Sequence, residues 1–349
     1  MDLDINNKSE KRILFICSPT FGFYKHIISE LESLGYVVDY YNDRPSENSF
    51  LKGIIKIKRN LVDLLIKRYF KNILNETKDK QYDVVFIING KAFTDEMIRS
   101  LRDTQSKARF LYYTWDTLSL YPNAKGLIAQ FDKAYSFDTD DCEKMDKLEF
   151  LPLFYSKTYE EIGEDSTPNK SPKREYDIMS VCTAHPNRYK TMHELFPKLE
   201  SKGIRIFSFM FLNKLQYWYN RIYVPEFKGA MRREFKFKSL SEKENSEILR
   251  KSDTVFDMQH NKQSGLTMRT IETLGARRKM VTTNTNIKKY DFYDENNIFV
   301  MDDSNLDDIG DFINNKYVPI NEDIYKKYSV FSWVKTIINE ESNNYFNED

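Results

Sequence analysis

The sequence predicts an α/β protein built from two Rossmann-like, doubly wound domains that face each other across a cleft, and three observations predict it. A short apolar run rich in β-formers, Arg12-Ile-Leu-Phe-Ile-Cys17, is followed by a loop and a helical pattern that Gly35 stops. The same order restarts at Asp177-Ile-Met-Ser-Val-Cys182. Between the two lies Ile162 to Tyr176, polar, aperiodic and carrying two prolines, which reads as a linker. At 349 residues the chain exceeds the usual size of one domain. The expected division is residues 1–161, a linker at 162–176, a second domain at 177–330, and a C-terminal helix with a frayed polar tail at 331–349.

Composition narrows the function classes. With 53 basic and 53 acidic residues the formal charge is +0, which argues against a uniformly basic nucleic-acid binder, and no nucleic-acid partner is expected. The 25 Phe and 23 Tyr are enough for solid cores and stacking surfaces. Cys17 and Cys182 sit in apolar strand-like runs as small buried thiols, and the spacing of these two and Cys142 does not suit zinc. The first residues have no apolar leader, and no run of about 18 apolar residues occurs. The expected location is the cytoplasm, or the inner face of a membrane as a peripheral protein.

In the first half, Tyr36 to Tyr41, Asp83 to Ile88, Arg109 to Thr114 and Lys133 to Phe137 read as strands. His26 lies one helical turn past the first strand-to-helix loop, placed to meet an acceptor or a phosphate, or simply to pack. Lys52 to Asn75 is a basic helical pattern with Leu61, Leu64, Leu65 and Ile73 on its apolar side. Such a helix either lies on an anionic membrane or packs on the core behind a solvated basic face, and both readings stay open. Asn89-Gly90-Lys91 ends the Asp83 strand and sets Lys91 at the carboxyl edge of the sheet. Asp116 directly follows the Arg109 strand beside Trp115, where a cleft presents a general base; the competing role is to cap the next turn. Asp138-Thr-Asp-Asp141 has a D-x-D spacing, but Asp138 as N-cap with two acids in the first turn accounts for it, and no metal is expected.

The second half repeats the pattern. His185, Arg188 and Lys190 cluster where a helix starts after the Asp177 strand, a place that suits a diphosphate. Leu215 to Lys238 interleaves aromatic and cationic residues and reads as local packing with a basic rim. Ser241 with Glu244 forms a capping box. The stretch Asp253 to Thr283 then reads strand, loop, helix, strand. Ser264 is the expected N-cap, Gly265 permits close approach, and the N–H groups of Leu266 and Thr267 are offered to a phosphate. Arg269 and Glu272, three apart, serve either a diphosphate and ribose hydroxyls or only each other as a surface pair.

Four stretches carry a family resemblance: NGKAF at Asn89 to Phe93, YYTWD at Tyr112 to Asp116, TAHPNR at Thr183 to Arg188, and QSGLTMRTIETLGARRKMVTTN at Gln263 to Asn284. In these the chain resembles GT-B glycosyltransferases, of the CgeB-like, group 1 type found in bacterial surface-polysaccharide pathways. The resemblance implies a UDP- or GDP-sugar donor on the second domain, a glycan or lipid-linked acceptor on the first, and no cofactor. By position, Gly265, Leu266 and Thr267 would meet the diphosphate through backbone, Arg188 and Arg269 would neutralise it, Glu272 would hold ribose, and His260 would reach base or sugar. Asp116 or His26 would deprotonate the acceptor. Many retaining members carry two glutamates eight positions apart; here Glu272 is present and Ser264 stands at the earlier place, which leans toward inversion with a general base. Arg277 also departs from the family, where a glycine is frequent. A sugar-nucleotide epimerase of the same fold, or a non-catalytic binding protein, is the alternative.

Overall fold

Val84-Val-Phe-Ile-Ile88 is apolar throughout, and such a run is buried on both faces only inside a parallel sheet. That is its position in the computed structural model, which describes residues 10–19, 22–48, 62–121, 123–165, 174–259 and 264–347. Two compact units are formed. The first comprises residues 1–152, 262–265 and 333–342; the second comprises residues 153–261, 266–332 and 343–349.

The first unit runs β1 (Lys11–Ile16), α1 (Phe23–Ser33), β2 (Tyr36–Tyr41), α2 (Asp63–Thr77), β3 (Val84–Ile88), α3 (Asp95–Thr104), β4 (Arg109–Thr114), α4 (Ala124–Ile128), β5 (Lys133–Ser136), α5 (Thr139–Lys144) and β6 (Leu148–Phe150). Its six parallel strands are ordered β2-β1-β3-β4-β5-β6. The chain winds outward from β1 to β2 and then returns to the other side, so the topological switch point lies between β1 and β3. Ligands of open α/β sheets bind beyond the carboxyl ends of the strands at such a point.

Thr94 caps α3 by accepting from the Met97 N–H, and Asp138 caps α5 by accepting from the Asp140 N–H, as expected of Asp138. In the basic segment, residues 52–61 lie outside the described residues. In α2 the core stripe is Ile66, Phe70 and Ile73, while Leu64 and Leu65 are exposed, contrary to the apolar side read from the sequence. At about 100° per residue, 66, 70 and 73 share one face and 64 and 65 fall off it.

The second unit opens with α6 (Lys157–Glu164), so residues 153–161 pack here and Ile162, taken as the linker start, is a buried helical residue. It continues through β7 (Tyr176–Thr183), α7 (Pro186–Ser201), β8 (Ile206–Phe211), α8 (Lys214–Tyr223), β9 (Phe235–Lys236), α9 (Glu242–Arg250), β10 (Ser252–Asp257), α10 (Met268–Gly275), β11 (Lys279–Thr282), β12 (Ile298–Val300), α11 (Ile309–Asn314) and α12 (Glu322–Lys327). These strands are also all parallel, in the order β12-β11-β10-β7-β8-β9, with the switch point between β7 and β10. Ser241 and Glu244 form the expected capping box of α9. A Cβ at Gly163 would collide with the Gly275 carbonyl, so the close crossing of α6 and α10 depends on glycine.

One expectation near the C-terminus is corrected. Two helices close the second half, α12 and α13 (Val330–Asn339), separated at Tyr328 and Ser329. Trp333 of α13 is buried in the first unit, edge-on to Tyr113 at 4.7 Å and 6.1 Å from Phe86. As far as Asn347 the tail is not frayed: Tyr345 is buried against Tyr328, and Phe346 bridges to Tyr290. Two aromatic side chains outweigh the polar residues around them.

Candidate functional site

Each switch point gathers polar side chains at the carboxyl edge of its sheet. In the first unit the organiser is Asn89, which ends β3 with a left-handed φ of 61°, a conformation Asn tolerates better than other side chains. It is buried and fully engaged. Its amide nitrogen donates to Asp116 Oδ2 at 2.8 Å, and its amide oxygen accepts from the Thr114 hydroxyl at 3.2 Å and the Trp115 N–H at 3.3 Å. Its carbonyl accepts from the Tyr112 hydroxyl at 3.0 Å. Asp116, at the end of β4, also pairs with Lys91 Nζ at 2.6 Å, so the lysine does stand at the carboxyl edge. Both side chains remain partly open to solvent, 28% for Asp116 and 35% for Lys91.

A second carboxylate, Asp43, lies just past β2. It is wholly buried, bonded to Arg44 Nε at 2.6 Å, and accepts from the Lys91 N–H at 3.3 Å. His26 stands half-buried in the first turn of α1. Phe23 of that turn packs edge-on to Trp115 at 6.3 Å, so the start of α1 and the Trp115-Asp116 turn are neighbours. The arrangement orients a carboxylate by one amide and one ammonium while leaving it accessible, which is what a general base requires.

Ser264 and Gly265 also belong to the first unit. The Ser264 hydroxyl donates to Asp138 Oδ1 at 2.5 Å, and the N–H groups of Ser264 and Gly265 point at Asp138 Oδ2 at 3.3 and 3.5 Å. A Cβ at Gly265 would lie 2.6 Å from the Phe137 carbonyl oxygen, so the close approach predicted for this glycine is to Phe137. Ser264 is not the N-cap of the following helix. That role belongs to Thr267, whose hydroxyl accepts from the Thr270 N–H and donates to Asp257 Oδ2 at 2.7 Å. Thr267 wins because Asp257, at the end of β10, anchors it.

In the second unit, Arg188 in the first turn of α7 reaches across the switch point. Its Nε donates to the Met258 carbonyl, just past β10, at 3.0 Å, and a second guanidinium N–H reaches the same oxygen. His185 occupies the N-cap position of α7 and is exposed. Leu266 is buried. Arg269 and Glu272 do pair, at 3.2 Å, but not as a surface bridge: their side chains are 18% and 9% exposed. Arg269 also donates to Asn245 Oδ1 at 2.9 Å, and the Asn245 amide donates to the Tyr159 hydroxyl at 2.9 Å. Burial pushes the Glu272 carboxyl upward despite the opposing pull of Arg269. Burial likewise raises the thiols of Cys17 and Cys182, which fits inert packing rather than nucleophilic chemistry. His260 lies outside the described residues.

Sequence reasoning missed Asp43, Asn89, Asn245, Asp257 and Tyr159 as parts of these networks. Asn89 and Asp257 had a usable signal, a polar residue directly after an apolar strand. Asn245 and Tyr159 had none, because only the crossing of α6, α9 and α10 brings them together.

No protein-family model and no curated protein matches the sequence. Among solved structures, the chain is similar to a UDP-forming α,α-trehalose-phosphate synthase from Burkholderia xenovorans in complex with glucose-6-phosphate, at 10% identity and a TM-score of 0.59, over 94% of this chain and 99% of that one. It is similar to Anabaena HepE in complex with UDP and glucose, at 11% identity and 0.51, over 94% and 98%. It is also similar to a Listeria monocytogenes protein described as a UDP-N-acetylglucosamine 2-epimerase, at 11% and 0.51, over 98% and 100%. At these identities the likeness establishes the fold: two parallel six-stranded α/β domains arranged along the chain as in GT-B proteins.

Proposed function

We propose that the chain is a glycosyltransferase that moves a sugar from a nucleoside-diphosphate sugar, UDP- or GDP-linked, to a glycan or lipid-linked acceptor, with inversion and without a metal. The observation that carries this reading is the division of chemistry between two switch points in one fold. The first presents an accessible carboxylate held by Asn89 and Lys91; the second presents the Arg188 guanidinium and a helix start. The likeness to proteins solved with UDP and glucose, or named for forming UDP, supports a nucleotide-sugar donor. The finer CgeB-like assignment rests on the four sequence stretches.

On this reading Asp116 accepts the proton of the attacking hydroxyl, with His26 as the second candidate. A departing nucleoside diphosphate gathers negative charge, which fixed N–H groups and guanidinium cations stabilise without reorganising. Arg188 and Arg269 supply the cations, and Leu266 and Thr267 the N–H groups. Glu272 receives the ribose hydroxyls, His185 stands with Arg188 at the diphosphate, and His260, outside the described residues, is assigned to the base or sugar. The test is a thermal-shift series with UDP- and GDP-sugars, followed by transfer assays. A rise in melting temperature that Arg188→Ala removes supports the reading; no shift with any nucleotide sugar refutes it. The likeness to the epimerase-like structure keeps one alternative, and conversion of a UDP-sugar with no acceptor present would favour it.

A further inference from the structure

We propose that the outward face of α8 docks the second unit on an anionic lipid surface; this stands independently of the glycosyl-transfer reading. In a core-facing helix the apolar stripe is buried. In α8 it faces water. Leu215, Trp218, Tyr219, Ile222 and Tyr223 follow the i, i+3, i+4, i+7, i+8 spacing of one helical face, and they are 81%, 55%, 60%, 67% and 68% exposed. The buried residues of the helix are Tyr217 and Asn220, so the packed side is narrow. Tyr217 is held there by Phe235 and Phe237, at 5.5 and 5.8 Å. The sequence reading of this stretch as local packing with a basic rim therefore holds for Tyr217, Phe227 and Phe235 and fails for the α8 stripe.

Charge selects the partner. From Lys214 to Lys238 there are seven Lys and Arg against two carboxylates, Glu226 and Glu234, in a chain whose overall charge is zero. All seven cations are exposed, and among the described residues none of them forms a salt bridge. Glu234 is turned inward, toward His193 at 3.3 Å and the Tyr189 hydroxyl at 3.2 Å. Arg221 lies over the Trp218 ring at 5.9 Å and Arg232 over Phe237 at 5.5 Å. An aromatic and aliphatic stripe flanked by cations is the pattern of a helix lying in the headgroup layer, with Trp and Tyr at the interface and Lys and Arg toward anionic phosphates. A second copy of this face is disfavoured, since a two-fold contact would bring its cations together. Single-stranded RNA is disfavoured because Leu215 and Ile222 offer no stacking face and the Tyr219 and Tyr223 rings are tilted by 42°.

The test is co-sedimentation of the full chain with phosphatidylcholine vesicles, with and without about a third of phosphatidylglycerol. The expected result is binding to the anionic vesicles with at least about tenfold weaker partition onto neutral ones. Leu215→Ser with Ile222→Ser, and separately Arg232→Glu with Arg233→Glu, should each lower anionic partition at least about tenfold. These side chains are exposed, so the melting temperature should not change, and that measurement separates lost docking from lost folding. Trp218 should shift its fluorescence to the blue on vesicle addition, while buried Trp333 should not. Absence of vesicle binding, or binding indifferent to both double variants, overturns the proposal. So does salt-sensitive capture of a polyuridine strand without vesicle binding, or a concentration-dependent dimer that Ile222→Ser abolishes.

Discussion

The two switch points share one topology and carry opposite chemistry. At the first, the strand ends are closed by carboxylates, Asp43 held by the next residue, Arg44, and Asp116 held by Lys91 from the loop after β3. At the second, the end of α7 carries His185 and Arg188, and the acid at the strand end, Asp257, is turned inward as the anchor of Thr267. A parallel sheet supplies the place in both cases. What occupies it is decided by a few loop residues: one edge suits removal of a proton, the other suits an anion.

The sharpest way to break this contrast is Asp116→Asn. The amide keeps the shape but cannot accept a proton, and it loses its attraction to Lys91. On the proposed reading the transfer rate should fall by roughly 10²- to 10⁴-fold, the usual contribution of a general base. Donor affinity, read by thermal shift or calorimetry, should stay within about threefold, because the donor is assigned to the other edge. A loss of donor binding in place of rate would reverse the assignment of the two edges.

Asn89→Ala probes how the first edge is held. Alanine would have to occupy a φ of 61° and would leave the Trp115 N–H without its acceptor and the Asp116 carboxylate with Lys91 alone. The expected loss of stability is roughly 2–4 kcal/mol, combining backbone strain with unsatisfied buried groups. Chemical denaturation measures it, and a loss below about 0.5 kcal/mol would mean that the network is not structural.

Arg188→Ala tests the second edge. A hydrogen bond to a charged group is worth about 1.5–3 kcal/mol, so donor affinity should weaken by roughly 10- to 100-fold. The rate at saturating donor should fall less, because the guanidinium would serve binding before the chemical step. Equal affinity in both proteins would leave Arg188 as a clasp on the Met258 carbonyl and nothing more.

How much of this could be read beforehand depends on the range of the interaction. Strands such as Val84 to Ile88 and caps such as Asp138 and Ser241 are local, and the sequence patterns place them correctly. The sequence pattern puts the cap of α10 three residues early, because Ser264 and Thr267 are equally good local candidates and only Asp257 distinguishes them. Arg269 and Glu272 have the same spacing whether the pair lies on the surface or inside. Their burial comes from α6 and α9, distant in sequence. The exposed stripe of α8 reads as packing for the same reason: its periodicity is that of a core helix, and nothing local says that the core stops at Tyr217.

Arg277 gives the finest test, because it sets a strained backbone against a side chain in a single position. It follows α10 with a φ of 51°, the left-handed conformation in which glycine carries no penalty. Arginine here costs about 1–2 kcal/mol relative to glycine. Its guanidinium stacks on Tyr325 at 3.9 Å and pairs with both oxygens of Glu322 at 2.8 and 2.9 Å. A cation–π contact worth about 0.5–2 kcal/mol and a partly exposed ion pair worth up to about 1 kcal/mol offset that strain. Arg277→Gly should therefore change stability by less than about 1 kcal/mol in either direction, since it removes the strain and its compensation together. Arg277→Ala keeps the strain and removes the compensation, and should cost about 1–2 kcal/mol. Equal melting temperatures for the two variants would show that the left-handed backbone at 277 relaxes once the side chain no longer grips Tyr325 and Glu322.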